Sequence, residues 1–118
     1  MLFTESLKKN FQFRYVYNRG KSIANRYLVM YVIKNNKMSN RLGISVSKKV
    51  GKSVMRSRIT RLIKESYRLK EEKIKKGYDI VIIARVNSNS ATYQEINRAF
   101  YSLAKKHNIL VEKNEIEK

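Results

Sequence analysis

The run Arg41-Leu42-Gly43-Ile44-Ser45-Val46-Ser47-Lys48-Lys49-Val50-Gly51-Lys52-Ser53 decides how this chain folds. Its first nine residues alternate, with Leu42, Ile44 and Val46 on one face and Gly43, Ser45, Ser47 and Lys49 on the other. That pattern predicts a strand over Arg41–Lys49 with one apolar face and one small, basic face. Past Gly51 the period changes. Met55, Ile59, Leu62, Ile63 and Ser66 fall on one stripe of a helix from Ser53 to about Lys73, and Arg56, Ser57, Arg58, Thr60, Arg61 and Lys64 spread over the rest. Tyr78 to Val86 follows, almost continuously apolar from Ile80 to Ala84, as a strand buried on both faces requires.

On the N-terminal side, Arg26 to Ile33 is β-branched and aromatic and reads as a strand, with a polar loop from Lys34 to Asn40. Before it, Asn10 is positioned to cap a short helix from Phe11 to Arg19, with Gly20 where a left-handed residue ends a helix. Phe13, Val16 and Tyr17 form its i, i+3, i+4 face. On the C-terminal side, Thr92-Tyr93-Gln94-Glu95 is a capping box opening a last helix with the stripe Ile96, Phe100, Leu103, His107. The tail past Val111 is charged and expected to fray from about residue 112. The order α-β-β-α-β-α is that of an α+β fold, a two-layer sandwich of helices on a small sheet. With 118 residues, no Pro, no repeat and no low-complexity tract, residues 1–118 read as a single domain.

Charge narrows the function. Lys and Arg number 27 against 9 acids, a net of +18. The imbalance is concentrated: from Ser6 to Lys64 there is no carboxylate. An ordinary soluble surface mixes its signs, so this half is suited to a polyanion, and nucleic acid is the expected partner. There is no Cys and a single His, which excludes disulfides, zinc fingers, thiol nucleophiles and multi-His metal sites. The longest apolar run, Tyr27 to Ile33, is too short to span a bilayer, and the N-terminus shows no apolar signal region. A soluble, cytoplasmic protein is the expectation.

A metal-dependent nuclease site needs clustered carboxylates. Here the acids are scattered and Asp79 stands alone at a strand start, so no catalytic residue and no metal ligand is assigned to the protein. His107, on the apolar stripe near a helix end, reads as packed or dipole-stabilised. The segment Lys48-Lys49-Val50-Gly51-Lys52-Ser53 lacks the earlier glycine of a P-loop. The sharpest signal is cationic: Lys48, Lys49, Lys52, Arg56, Ser57, Arg58, Arg61 and Lys64 cluster at the turn and first turns of the long helix. Free N–H groups there attract phosphate, and positive side chains oppose the helix dipole, a cost that a bound anion offsets. A solvated basic face would interleave Glu for i, i+4 pairs, and none occurs before Glu65. Phe13 and Tyr17 fit either a core or a stacking surface for unpaired bases. Tyr27 and Tyr31 raise the same question, being out of phase with Leu28, Met30 and Val32.

Taken in order, Leu7-Lys8-Lys9-Asn10, Phe13, Val16-Tyr17, Gly20, Ala24-Asn25-Arg26, Arg41 to Gly51, Arg56-Ser57-Arg58 with Arg61-Leu62-Ile63, and Asp79 to Arg85 resemble the protein-subunit family of bacterial ribonuclease P, from about residue 7 to 110. The chain departs from the family's usual pattern at Ser57, where Asn stands between the two arginines, at Lys52, usually Asn, at Thr60, often basic, and at Tyr17, frequently Phe. The resemblance implies an α+β sandwich with a left-handed βαβ crossover. It implies a catalytic RNA partner that holds Mg²⁺ and removes the 5′ leader of precursor tRNA, with the arginine helix facing that RNA. It also implies a cleft for the single-stranded leader, lined by Phe13, Tyr17, Tyr31, Ser45 and Ser47. Neither a membrane nor a small-molecule substrate is implied. The alternative is a structural RNA-binding protein, such as a ribosomal protein of similar fold, with no cleavage role. Helix-turn-helix DNA binding fits poorly, because a strand and not a first helix precedes the long helix.

Overall fold

A computed structural model describes residues 4–111. The elements are β1 (Thr4–Ser6), α1 (Asn10–Arg19), β2 (Lys21–Ala24), β3 (Leu28–Lys34), β4 (Asn40–Ser45), α2 (Ser53–Lys70) and a 3-10 turn (Glu71–Lys73). After these come β5 (Tyr78–Ala84), a second 3-10 turn (Val86–Ser90) and α3 (Tyr93–Lys106). The α+β class stands, and the three expected helices and three expected strands are all present. Two short strands, β1 and β2, join them, and the expected frayed tail lies outside the described residues.

The five strands form one sheet in the order β1-β4-β5-β3-β2. β5 lies at its centre, antiparallel to β3 and parallel to β4, which explains its unbroken apolar run. Parallel neighbours need a crossover connection, and α2 provides it. β1 adds in parallel to the outer edge of β4, and β2 is antiparallel to β3.

Alternation along the strands sorts side chains to two faces. Leu28, Met30 and Val32 of β3, Leu42 of β4 and Ile80, Ile82 and Ala84 of β5 enter one large core with Ile59, Ile63 and Tyr67 of α2 and Ile96, Phe100 and Leu103 of α3. The rings of Tyr67 and Phe100 meet edge to face, 6.0 Å apart. Helix α1 packs on the opposite face, where Leu7, Val16 and Val81 form a small buried apolar cluster and Phe13, Tyr17, Tyr31, Ile33 and Ile83 are partly covered. The sandwich of sheet and helices is therefore the α2–α3 side, and α1 covers part of the other.

Several local expectations change. The strand at Arg41 starts one residue earlier and stops at Ser45, because its ladder ends where Ser45 meets Ile83 near the end of β5. Beyond it the chain turns, with Val50 N–H donating to the Ser47 carbonyl at 3.0 Å. Asn10 is the first helical residue of α1 and not its cap. The Gln12 side-chain carbonyl accepts from the N–H groups of Lys8 and Lys9 and closes that helix start. Gly20 is extended, not left-handed. It is glycine because a Cβ there would stand 2.6 Å from the Val16 carbonyl oxygen. The capping box at α3 forms as read, with Glu95 N–H donating to Thr92 Oγ1 and Thr92 N–H to Glu95 Oε1.

Candidate nucleic-acid interface

Helix α1 presents Asn10, Phe13, Arg14 and Tyr17 at i, i+3, i+4 and i+7, and these four line a groove of about 510 Å³ over Ile44 and Ser45 of β4. The Phe13 ring rests on Gly43, where a Cβ would come within 2.7 Å of two ring carbons. Tyr17 is tilted against Phe13 at 6.3 Å and meets Tyr31 of β3 edge-on at 5.1 Å. Burial raises the pKa of the Tyr17 hydroxyl, and hydrogen bonding to the Ser45 side chain opposes that shift. Phe13, Tyr17, Tyr31 and Ser45 thus converge, each half-buried. All three rings belong to the small α1-side cluster, and Phe13 and Tyr17 also line the groove. Asn10 and Arg14 were missed, although they share the helical stripe of Phe13 and Tyr17.

Ser47 lies beyond the end of β4, in a second hollow of about 330 Å³ with Lys49, Ile83, Arg85 and Asn87. Ser45 lines the first hollow and its cross-strand partner Ile83 lines the second, so the two adjoin on the sheet. Tyr27 does not belong here. It precedes β3, packs against the large core and donates from its hydroxyl to Glu95 Oε2 at 2.6 Å. The Asn25 side chain turns the backbone at this point by accepting from the N–H groups of Tyr27 and Leu28.

The cationic candidates divide. Lys48, Lys52 and Ser57 are exposed at the turn and on the first turns of α2. Arg56 folds back to donate to the Gly51 carbonyl at 3.0 Å. Arg58 crosses to α3 and donates to the Ala91 carbonyl at 3.0 Å, so it anchors the start of that helix as well as presenting charge. Arg58, Arg61 and Lys64 line a hollow of about 570 Å³. Thr60 donates its hydroxyl to the Arg56 carbonyl at 2.8 Å.

The polar groups weighed for catalysis have structural partners. Asp79 is buried and accepts from Arg41 Nε at 2.8 Å and Arg41 Nη2 at 2.5 Å, with Asn35 Nδ2 at 2.9 Å. The Asp79 hydrogen bonds hold the Arg41 pKa above its usual value. His107 Nε2 donates to the Met30 carbonyl at 2.8 Å. Burial lowers its pKa, and the hydrogen bond to Met30 opposes that shift. Among the described residues, no group of three or more His, Cys, Asp or Glu could hold a metal ion. No helix among them is long and apolar enough to cross a membrane.

The comparisons with known proteins agree on one family. The Ribonuclease P family model matches residues 1–108. The chain is 55% identical over 109 residues to a ribonuclease P protein component of Clostridioides difficile (strain 630), covering 92% of this chain and 96% of the relative. It is 59% identical over 107 residues to one of Lachnoclostridium phytofermentans, covering 91% and 92%. Among solved structures, the RNase P protein of Staphylococcus aureus superposes with a TM-score of 0.84 at 36% identity, covering 89% of this chain and 96% of that one. The RNase P protein from Thermotoga maritima gives 0.79 at 31%, covering 86% and 96%. With a family model spanning nearly its whole length and relatives above half identity, the chain belongs to the ribonuclease P protein component family.

Proposed function

We propose that the chain binds the catalytic RNA of ribonuclease P and the single-stranded 5′ leader of precursor tRNA, and so assists removal of that leader. The leader lies in the groove of Phe13, Tyr17, Tyr31 and Ser45 and continues over Ser47. The catalytic RNA meets the turn and α2 through Lys48, Lys49, Lys52, Arg56, Ser57, Arg58, Arg61 and Lys64. The RNA holds Mg²⁺ and carries out phosphodiester hydrolysis, and the protein supplies positioning and charge.

The observation that carries this reading is the strip of sheet beside α1. Phe13 sits down on Gly43, Tyr17 leans over Ser45, and the open edge of both rings faces a groove in a half of the chain almost without carboxylates. Aromatic surface beside cationic side chains is the arrangement that holds unpaired nucleic acid, with stacking worth about 1–3 kcal/mol per base.

The test is cleavage by catalytic RNA at low Mg²⁺, with and without the protein, using precursors of graded leader length. The protein should stimulate cleavage and produce none alone. Phe13→Ala should weaken binding of long-leader precursor while leaving mature tRNA unaffected. Binding of RNA without stimulation, or equal loss for precursor and mature tRNA, would return the chain to the class of structural RNA-binding proteins.

A further inference from the structure

The hollow between α2 and the start of α3 has a composition that phosphate binding alone does not explain. Its volume, about 570 Å³, lies in the range of about 300–1,000 Å³ typical of small-molecule pockets. Leu62 and Tyr93 give it an apolar and aromatic surface, and Arg58, Arg61 and Lys64 surround that surface with charge. A helix that tracks duplex phosphates needs only an exposed cationic face. An aromatic wall with cations around it suits a base with its flanking phosphates.

Two further features point the same way. Glu65 is the first carboxylate after the acid-free stretch, and it lines this hollow. Arg68 fixes it with two hydrogen bonds, Nε to Oε2 at 2.9 Å and Nη2 to Oε1 at 2.6 Å. The pair offsets its own charge, and the carboxylate can accept a further hydrogen bond from a base amino group. The Tyr93 hydroxyl is buried with no hydrogen-bond partner among the described residues. Arg58, tied to the Ala91 carbonyl, holds the hollow's α3 side in place without waiting for a ligand.

We propose that this hollow receives a single unpaired nucleotide of the partner RNA, its base against Tyr93 and its phosphates on Arg58, Arg61 and Lys64. The inference rests on the reading that α2 faces RNA and adds Tyr93, Glu65 and Arg68 to that surface. It makes the arginine helix a reader of RNA shape, selecting a helix interrupted by an extruded base over a continuous one.

The test uses the full chain and three RNA hairpins: fully paired, with one bulged uridine, and with an abasic residue at the bulge. The bulged hairpin should bind at least about 5-fold tighter than the abasic one, the lower end of what a stacked base contributes. Tyr93→Leu should abolish that preference, whereas Tyr93→Phe, which keeps the ring and loses the unpartnered hydroxyl, should retain part of it. With 5-iodouridine at the bulge, the photo-adduct should map to the peptide carrying Tyr93. Equal affinity for the bulged and abasic hairpins, a preference that survives Tyr93→Leu, or an adduct on Phe13 or Tyr17 would overturn the proposal. Should Tyr93→Leu fail to fold, the wild-type preference and the adduct position decide. A chain that stimulates cleavage at low Mg²⁺ yet shows no preference loses this site and keeps the proposed function. A chain that does not stimulate cleavage loses the proposed function, and the hairpins then judge the hollow by itself.

Discussion

On one side of the sheet, Leu28, Met30, Val32, Ile80 and Ile82 disappear beneath two helices; on the other, Tyr31, Ile33 and Ile83 of the same strands remain half-covered beside one short helix. The strands are shared, so β propensity does not separate the two sides. What differs is the covering layer. Helices α2 and α3 bring fully buried Ile59, Ile63, Ile96, Phe100 and Leu103 to one side, and α1 brings one fully buried residue, Val16, with two aromatics that stay partly open. Burial supplies stability in proportion to apolar area removed from water. The α2–α3 side thus carries the fold, and the α1 side can leave aromatic surface for a ligand.

The largest expected effect tests that division directly. Phe100→Ala empties a fully buried site and should cost about 3–5 kcal/mol in urea denaturation, with RNA affinity per folded molecule unchanged. A Phe100→Ala protein of normal stability and impaired binding would invert the comparison. Gly43→Ala acts on the other side. The added methyl meets the Phe13 ring, so stability should fall by about 1–3 kcal/mol, together with affinity for leader-bearing precursor. Combining it with Phe13→Ala should restore part of that stability, because the clash has gone; strict additivity of the two changes would show that the ring does not rest on Gly43.

Arg58 and Arg61 sharpen the contrast within a single helix. Arg58→Ala loses a charged hydrogen bond to the Ala91 carbonyl and should cost about 1.5 kcal/mol of stability as well as RNA affinity. Arg61 is exposed, so Arg61→Ala should change stability by no more than about 0.5 kcal/mol while reducing the salt dependence of RNA binding by about one counterion. Equal stability for the two variants would remove the structural role given to Arg58.

The smallest effect is in the pH dependence of the core. Burial, with Lys21 adding to it, lowers the His107 pKa against the hydrogen bond to Met30. The unfolded chain therefore binds the proton more readily. Stability should be full above about pH 6.5, the ordinary histidine value, and should decline as pH falls through the folded-state value. His107→Gln should flatten that decline in denaturation curves between pH 7.5 and 5.5; an unchanged slope would place its origin elsewhere.

The longer elements were legible in the sequence for a physical reason: α2 and α3 each bury enough apolar residues to impose a helical period, and β5 is buried on both faces and so apolar almost throughout. β1 and β2 were not. Each is three or four residues long and mostly exposed, so its strand identity comes from its partner, β4 for β1 and the neighbouring β3 for β2, and not from its own pattern. The groove was half legible. Phe13 and Tyr17 could be found by spacing, but whether they were core or ligand surface depended on how much of the sheet α1 covers. The dual role of Arg58 was hidden because its partner is a backbone carbonyl 33 residues away, and no side chain advertises a carbonyl.

The central position of β5 has a consequence for synthesis. Both β3 and β4 pair with residues 78–84, and these are made after the whole acid-free stretch. A nascent chain must therefore expose its most cationic half before the strand that organises it exists, and the sheet closes only when Tyr78–Ala84 slots between two strands already made. Such non-local pairing slows folding. Throughout that interval β3 and β4 lack the strand that joins them, so the rate at which β5 inserts sets how long the cationic half waits for its fold.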